Sequence, residues 1–382
     1  MSFSRSTATT PPAAVGHPAG VRVIEVPVLA DLASPDAWMI HGTVRVDEAV
    51  DLALHGNTDV SPDAATFWTT MVHGEYRRVR RLVAVRDDVV GEAAVVGRAV
   101  VALPQVGNTH LAEVYLAVLP GWRGRGIGSA LWDACLAIVH EEGRTVVLGG
   151  SDHTPEPPPG PGALESPAGG GRIPADDDST RFALARGFAL EQVGRHSVLD
   201  VPLPEADLTA HLDGARAAAG PDYRLHHWAD AVPEGWLDGF ALLETRMSTD
   251  APSAGLEVTE DPWDAQRVLD EARAIHERGQ GFRVAAAEHV PTGTLAAFTM
   301  VELPDARPEV VFQGDTLVLR EHRGRRLGML VKAALLDELA RVRPQARRVH
   351  TWNAQENAHM LAINVALGFR PASVEAEWQL RL

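Results

Sequence analysis

Runs and alternations of apolar residues divide this chain into short strands and amphipathic helices. Residues 81–103 predict two apolar strands joined by Asp87-Asp88, and residues 282–303 predict a second such pair around Pro291-Thr292-Gly293. One more apolar strand follows each pair, at residues 112–119 and 315–319. The same strand pattern therefore occurs twice in the chain.

An amphipathic helix follows each of these strands, because apolar residues then recur every three to four positions. Gly143 ends the first helix and Pro344 ends the second. A strand, a short helix and a closing strand complete each unit. Hairpins followed by a strand–helix–strand crossover predict an α/β fold with a mixed, largely antiparallel sheet and flanking helices. The apolar helix positions are Ile127, Leu131, Ala134, Ile138 and Val139, then Leu327, Leu330, Val331, Leu335 and Leu339.

The two units are copies of each other in a register of 200 residues. Leu103-Pro104 recurs as Leu303-Pro304, and each unit later reaches a Gly-Phe pair, at Gly187 and Gly368. The interval from Gly128 to Gly187 is 59 residues and that from Gly328 to Gly368 is 40, a difference of 19. The Pro/Gly-rich residues 155–174 account for the surplus, and we expect them to form a long loop without helix or strand. Duplication explains this pattern.

The copies define a domain organisation. We expect a flexible tail at residues 1–20, a first domain at 21–213, an Ala/Gly-rich linker at 214–222 and a second domain at 223–382. We refer to the two predicted domains as the first half and the second half.

Composition excludes several classes of protein. The chain has 382 residues, 45% apolar and 23% charged, with a formal net charge of −16. Such a charge repels nucleic-acid phosphates and is compatible with cationic amines. We expect no membrane partner, because no apolar run approaches the roughly 20 residues of a transmembrane helix. Cys135 is the only cysteine, so an internal disulfide is excluded and a cytoplasmic location is expected. The sequence leaves open whether the protein forms a homodimer, and we expect no metal site.

Each copy carries a basic, glycine-rich loop between a strand and a helix. The loops are Arg123-Gly124-Arg125-Gly126-Ile127-Gly128 and Arg323-Gly324-Arg325-Arg326-Leu327-Gly328. Backbone N–H groups at a helix N-terminus, glycines that allow close approach and arginine side chains together favour a phosphate or diphosphate ligand.

The segment from Val118 to Gly128 resembles the acetyl-CoA signature of the GCN5-related N-acetyltransferases (GNATs), with Arg123, Gly126 and Gly128 in its fixed places. The segment from Val318 to Gly328 is similar, with Arg326 at a glycine place. The resemblance implies two tandem acyl-CoA N-acyltransferase domains that bind acetyl-CoA. The implied cofactor residues are Val118, Arg123, Gly124, Arg125, Gly126, Ile127, Gly128, Ser129, Val318, Arg323, Gly324, Arg325, Arg326, Leu327 and Gly328.

The resemblance extends to residues 351–369, which are similar to the family's closing strand–helix motif and add Asn353 and Asn357 as cofactor residues. It also implies that the strands separate after Val118 and Val318, where the pantetheine arm pairs with the backbone. The two-copy layout resembles that of mycothiol synthase-like actinobacterial proteins.

Acyl transfer to an amine needs a group that takes a proton. Glu113, at the start of the strand that leads into the first loop, is our candidate base, against the alternative of a solvent-facing carboxylate. The second copy has Gln313 at this position, so Asp315 is its candidate. The tyrosine that the family often uses as an acid is replaced by Ala183 and Asn364. Either solvent or another group would protonate the thiolate of CoA, which leaves when the acyl group is transferred.

Two further motifs carry weaker signals. Residues 149–153, Gly-Gly-Ser-Asp-His, are similar to part of a hydrolase nucleophile elbow, but adjacent Ser, Asp and His cannot form a triad, so a loop is expected. Gly124 and Gly126, with Asp152 after the next strand, leave an NAD-dependent dehydrogenase as a less favoured alternative. A catalytically idle acyl-CoA-binding scaffold is the other alternative. The favoured hypothesis is direct acetyl, or short acyl, transfer from CoA to a small-molecule primary amine.

Overall fold

The computed structural model describes residues 19–382, so most of the predicted tail at residues 1–20 lies outside the described part of the chain. Twelve strands form one continuous sheet and two short strands form a separate hairpin. The strands are β1 (Val21–Glu25), β2 (Arg77–Arg86), β3 (Val95–Pro104), β4 (Leu111–Val118), β5 (Val146–His153), β6 (Ala163–Glu165), β7 (Arg172–Pro174), β8 (Ala189–Asp200), β9 (Tyr223–Ala229), β10 (Gln280–His289), β11 (Thr294–Pro304), β12 (Val310–Val318), β13 (Arg348–Ala354) and β14 (Arg370–Arg381).

Helices flank both faces of the sheet. They are α1 (Trp38–His55), α2 (Ala64–Val72), α3 (Ile127–Glu141), α4 (Asp178–Leu184), α5 (Glu205–Ala219), α6 (Leu237–Asp250), α7 (Ala265–Glu277), α8 (Leu327–Val342) and α9 (Ala358–Leu367). The predicted α/β class, with its mixed and largely antiparallel sheet, is confirmed. None of the helices between residues 19 and 382 is both long and apolar enough to span a membrane.

The two halves exchange their last strands. The sheet order is β1-β2-β3-β4-β5-β14-β8-β13-β12-β11-β10-β9. Strand β14, from the end of the second half, therefore pairs with β5 of the first half, while β8 of the first half pairs with β13 of the second. Strands β8 and β14 also pair with each other at the centre of the sheet. Each half thus completes the sheet of the other.

The arrangement of helices repeats on both sides of this centre. Val193 and Leu199 point to the same face of β8, because they are an even number of residues apart. Val193 packs in the core below α3, and Leu199 packs in the core below α8, so these two helices share a face. We call it the α3/α8 face. Helices α1, α2, α6 and α7 cover the opposite face, which we call the α1/α6 face.

The connections between the helix pairs also cross to the other half. In the segment between α1 and α2, Asp59 accepts hydrogen bonds from Arg348 of β13 at 2.5 and 3.0 Å. In the segment between α6 and α7, Glu257 donates its backbone N–H to Gln379 of β14 at 2.7 Å and accepts through its carbonyl from His110 at 2.9 Å. On the α1/α6 face, the segment between the two helices of each half therefore contacts a strand of the other half.

Three local predictions need correction. Residues 155–174 are not a loop throughout, because they contain the β6–β7 hairpin, whose Ile173 is fully buried in the core below α3. Residues 149–153 lie in strand β5 and not in a loop. Residues 214–219 of the predicted linker continue helix α5, and Gly220 follows that helix with a φ of 82°.

Candidate functional site

Each half contains one pair of parallel strands that separate along their length. Strand β4 pairs with β5 only from Leu111 to Glu113, and β12 pairs with β13 only from Val310 to Phe312. Beyond these residues, one side of β4 and one side of β12 have no strand partner in the sheet. The strands thus separate before Val118 and Val318, and not after them as predicted. Unpaired backbone groups of this kind can bind an extended ligand as an added strand would.

The first glycine loop leads from β4 into the N-terminus of α3. Gly124 and Gly126 have φ angles of 72° and 83°, and a Cβ added to either would meet no atom within 4 Å. The backbone N–H groups at this helix end are therefore open to an anion. The Nε of Arg123 donates to the Val118 carbonyl at 3.2 Å, and Arg125 stacks on Trp122. Among the described residues, neither arginine is paired with a carboxylate.

The second loop has the same backbone path with different electrostatics. Arg326 takes the left-handed conformation, with φ of 57°, at the place of Gly126. Arg323 again donates to the preceding strand, at the Val318 carbonyl, but it also pairs with Asp250 at 2.8 Å. Arg320 pairs with the same carboxylate at 2.8 Å, and the Asp250 side chain is 5% exposed. One carboxylate therefore offsets part of the positive charge at this loop.

The last glycine of each loop packs against the short helix that follows. A Cβ on Gly128 would lie 3.1 Å from a ring carbon of Phe182, and one on Gly328 would lie 3.0 Å from Ile363. Ser129 accepts a hydrogen bond from Arg186 at 2.8 Å. These loop residues therefore join the loops to α4 and α9 as well as facing the anion position.

The two predicted asparagines have different surroundings near α8 and α9. Asn357 caps α9, and its side chain accepts from the backbone N–H of Met360. Asn353 accepts from Asn364 at 2.6 Å, and Asn364 accepts from Lys332 at 2.8 Å. The Lys332 side chain is fully buried, and burial lowers its pKa to about 7. Asn353 is thus linked through Asn364 to a buried lysine that the sequence analysis did not single out, while Asn357 serves as the N-cap of α9.

The two predicted bases lie on the α1/α6 face, beside the separating strands. Glu113 forms an ion pair with Arg77 of β2. Gln313 is buried, and its amide donates to Thr299 Oγ1 at 2.9 Å. Asp315 lies two residues further along β12; burial raises its pKa, and its charge adds to burial in raising the pKa of Glu244 on α6.

The exchanged strand brings more carboxylates to the first half. Glu377 of β14 lies opposite Gly150 of β5, and Glu375 lies opposite Asp152. A Cβ on Gly150 would lie 3.1 Å from both Glu375 Oε1 and a ring carbon of Tyr115, so a glycine here allows these side chains to meet. Sequence reasoning missed Glu375 and Glu377 because they lie more than 200 residues from β5.

Glu377 has the properties of a proton acceptor. Burial raises its pKa to about 7, with the nearby Glu113 and Asp152 adding to the effect. Among the described residues it forms neither a hydrogen bond nor an ion pair. Burial and the surrounding carboxylates raise the pKa of Tyr115, so its phenol stays protonated. A pKa near neutral suits a general base.

A hydrogen-bonded Ser–His–Asp group lies on the other face of β5. Ser151 Oγ lies 2.8 Å from His153 Nε2, and His153 Nδ1 lies 2.5 Å from Asp177 Oδ2. As predicted, the adjacent Ser151, Asp152 and His153 do not form a triad, because Asp152 points away; Asp177, at the N-terminus of α4, takes its place and was not predicted. Trp378 Nε1 also donates to Ser151 Oγ, at 2.9 Å, and the His153 side chain is 1% exposed.

A cavity of about 490 Å³ opens on the α1/α6 face next to Tyr115. Its walls come from both halves, since Trp352 and Glu375 contribute alongside α1, α2 and the strands of the first half. This volume falls in the range of small-molecule sites.

Comparison with known proteins agrees with this geometry. Residues 53–153, which include β4, the first glycine loop and β5, match the sequence profile of the Acetyltransferase (GNAT) family. No curated protein matches the chain significantly in sequence.

Two solved structures are similar over almost the whole length. A tandem GNAT protein from the clavulanic acid biosynthesis pathway, solved without acetyl-CoA, is 25% identical, with a TM-score of 0.70 over 94% of this chain and 98% of that one. A GCN5-related N-acetyltransferase from Sphaerobacter thermophilus has the same fold, with a TM-score of 0.55 at 14% identity over 94% and 95% of the two chains. Residues 53–153 therefore match a GNAT acetyltransferase domain, and the chain as a whole is similar in fold to a tandem GNAT protein.

Proposed function

We propose that the first half transfers an acetyl, or another short acyl, group from CoA to a small-molecule primary amine. The observation that carries the proposal is the separation of β4 from β5, with the basic glycine loop at one end and the Glu113–Tyr115–Glu377 group beside it. The open loop at Gly124 and Gly126 has room for the diphosphate of CoA, and the unpaired side of β4 has room for the pantetheine arm.

Bound acetyl-CoA supplies a thioester carbonyl that a neutral amine attacks. Glu377 accepts the proton that the amine loses, and Tyr115 remains available as a hydrogen-bond donor beside it. The new C–N bond forms as the C–S bond breaks, with loss of the thiolate. Glu113, held by Arg77, stays a predicted base whose part the same experiments test.

Turnover and donor binding, measured separately, test this function. Free thiol release and the mass of the product are followed with acetyl-CoA and a panel of primary amines. We expect amide formation together with a rise in melting temperature on addition of acetyl-CoA. Donor binding without thiol release for any amine would show an idle scaffold instead, and stabilisation by NAD alone would favour the dehydrogenase alternative.

A second candidate function, acyl transfer through a serine ester, rests on Ser151, His153 and Asp177. An ionised Asp177 accepts the Nδ1–H of His153, so Nε2 is left to accept the Ser151 proton, as in a hydrolase triad. Two observations favour a structural role instead. The Trp378 N–H donates to Ser151 Oγ, and the His153 side chain is almost fully buried.

A fluorophosphonate probe separates the two candidates, because it labels activated serines without any acyl donor. An adduct on Ser151 that Asp177→Asn abolishes would establish the serine route. Unlabelled protein, together with undiminished amine acetylation by Ser151→Ala, would leave direct transfer as the function of this site.

A further inference from the structure

The cavity beside Tyr115 contains an unmatched positive charge. Three arginines line it, from neighbouring strands β2 and β3. Arg98 donates to Asp47 Oδ1 at 2.6 Å and Arg77 pairs with Glu113. Arg81 is the third, and among the described residues it has no carboxylate partner.

Arg81 is poorly satisfied for a buried cation. It is 8% exposed, its Nη2 donates to Thr70 Oγ1 at 2.9 Å, and its Nε has no hydrogen-bond partner within residues 19–382. Its guanidinium also lies over the ring of Phe67, 4.4 Å from the centroid. Burial lowers the pKa of Arg81 to about 9, with Arg98 adding to the effect. A buried guanidinium is costly unless a carboxylate or similar anion meets it.

Carboxyl groups line the opposite end of the cavity. Arg81 lies opposite Val100, and Val100 lies opposite Tyr115, so the backbones of Arg81 and Tyr115 are two strand spacings, or roughly 10 Å, apart. Beyond Tyr115 come Asp152 and Glu375, which also line the cavity and form no ion pair among the described residues. The cavity is therefore positive at one end and acidic at the end next to the separating strands.

We infer that the acceptor of the first half is a small amine that also carries a carboxylate, such as an amino acid. Its carboxylate binds the Arg81 guanidinium, and its amino group lies between Tyr115 and Glu375, on the side of the proton acceptor. A simple cationic amine leaves Arg81 unmatched, and a simple acid has no ammonium for Asp152 and Glu375. The inference rests on the proposed function and names the substrate class of the same site.

Matched pairs of acceptors test the inference. The protein amino acids, β-alanine and γ-aminobutyrate are each compared with the amine that lacks the carboxylate. We expect acetylation to favour the carboxylate-bearing member, and Arg81→Gln to raise its KM about 10- to 100-fold, the range for a lost charge-assisted hydrogen bond. The same variant should change the parameters of the simple amine by less than about threefold.

Arg80→Gln is the matched control, because Arg80 neighbours Arg81 on β2 but pairs with Glu25 on the other face of the strand. We expect it to preserve the preference for the carboxylate. Equal use of both members of each pair by the wild-type protein would overturn the inference, and so would equal losses for both in Arg81→Gln.

Calorimetric titration of the same compounds without an acyl donor distinguishes this inference from the proposed function. Binding that requires the carboxylate and is lost in Arg81→Gln supports the inference, even if no acceptor is acetylated and the proposed function fails. Acetylation restricted to amines without a carboxylate supports the proposed function and overturns the inference. Absence of binding and of turnover for every carboxylate-bearing compound overturns it as well.

Discussion

The two glycine loops have the same backbone and different electrostatic surroundings. In both, an arginine donates to the carbonyl at the end of the preceding strand, and the next helix begins at a residue in the left-handed conformation. In the second loop, however, Asp250 pairs with Arg320 and Arg323. Arg326 also reaches α5, where its Nη1 lies 3.6 Å from the position of a Cβ on Gly214. The first loop keeps its charge and its open space.

The residues beside the separating strands also differ between the two halves. The first half has Tyr115, Glu113 and the exchanged Glu377 beside the separating strands, while the second half has Gln313, held in hydrogen bonds, and the buried carboxylates of Asp315 and Glu244. The two halves therefore share a fold and differ in the residues available for chemistry. We propose that the first half is the better donor site and that the second shapes the shared cavity or acts through Asp315.

The largest effect is expected from a negative charge in the first loop. Gly126→Glu should lower donor affinity and turnover at least about 100-fold, because a carboxylate would repel the diphosphate. The fold should survive, since a Cβ at Gly126 meets no atom within 4 Å, and Arg326 shows that this backbone accepts a side chain. Calorimetry measures the loss of donor affinity, and thiol release measures the loss of turnover.

Arg326→Glu is the matched change in the second loop, and we expect it to have little effect on turnover. Equal and additive losses in the two variants would establish two independent working sites and contradict the comparison. Gly128→Glu and Gly328→Glu probe the same loops less cleanly, because a Cβ at either glycine would lie about 3 Å from a neighbouring side chain.

Removing the exchanged carboxylate should have the next largest effect. Glu377→Gln should lower kcat about 100-fold, within the usual contribution of a general base, while donor affinity holds. In the wild-type protein, kcat should rise with pH through about 7, since the base is active only when deprotonated, and the variant should lack this inflection.

Glu113→Gln is the companion variant for the predicted base. If Glu113→Gln lowers kcat more than Glu377→Gln does, and also abolishes the inflection of kcat near pH 7, Glu113 is the proton acceptor. Retention of the inflection in Glu377→Gln would remove Glu377 from the mechanism.

A smaller effect, on stability, is expected at Lys332, the only lysine of the chain. Its folded pKa of about 7 lies below the ordinary value of 10.5, so the unfolded chain binds more protons between these pH values. The free energy of unfolding should therefore rise with pH across that interval, by about 1.4 kcal/mol per pH unit from this group. Lys332→Met should remove this contribution, which urea denaturation between pH 7 and 9 measures below the range in which Arg81 titrates.

Arg341→Gln, on the exposed side of the same helix, serves as the control and should leave the slope in place. The first half has Trp132 at the corresponding position of α3, so it contributes no such dependence. A slope that persists in Lys332→Met would assign it to another group.

The smallest effect is expected from a cut between the halves. A protease site introduced at residues 220–222, after α5, should yield two fragments that stay together and keep their activity, because β14 and β8 are paired across the division. Gel filtration after cleavage measures the association. Separation of the fragments into two folded monomers would show that the strand exchange is not needed.

The sequence by itself determined the strands and helices around each glycine loop, and it did not predict α1, α2, α6 and α7. Apolar periodicity placed β2, β3 and β4 and helices α3 and α8 within a few residues, because these patterns depend on which positions face a core. The register of 200 identified both glycine loops, and the resemblance supplied their ligand. Local rules of this kind also located Glu113, and its role stays a prediction.

Only the tertiary structure decided which elements became neighbours. Alternation along a strand fixes the face of each side chain but not the identity of the adjacent strand. The sequence therefore could not place Glu377 opposite Gly150, nor bring Asp177 to His153 or Asp250 to Arg323. Each of these contacts joins residues that are distant in the chain or in different elements, and burial of the whole sheet, rather than any local pattern, brings them together.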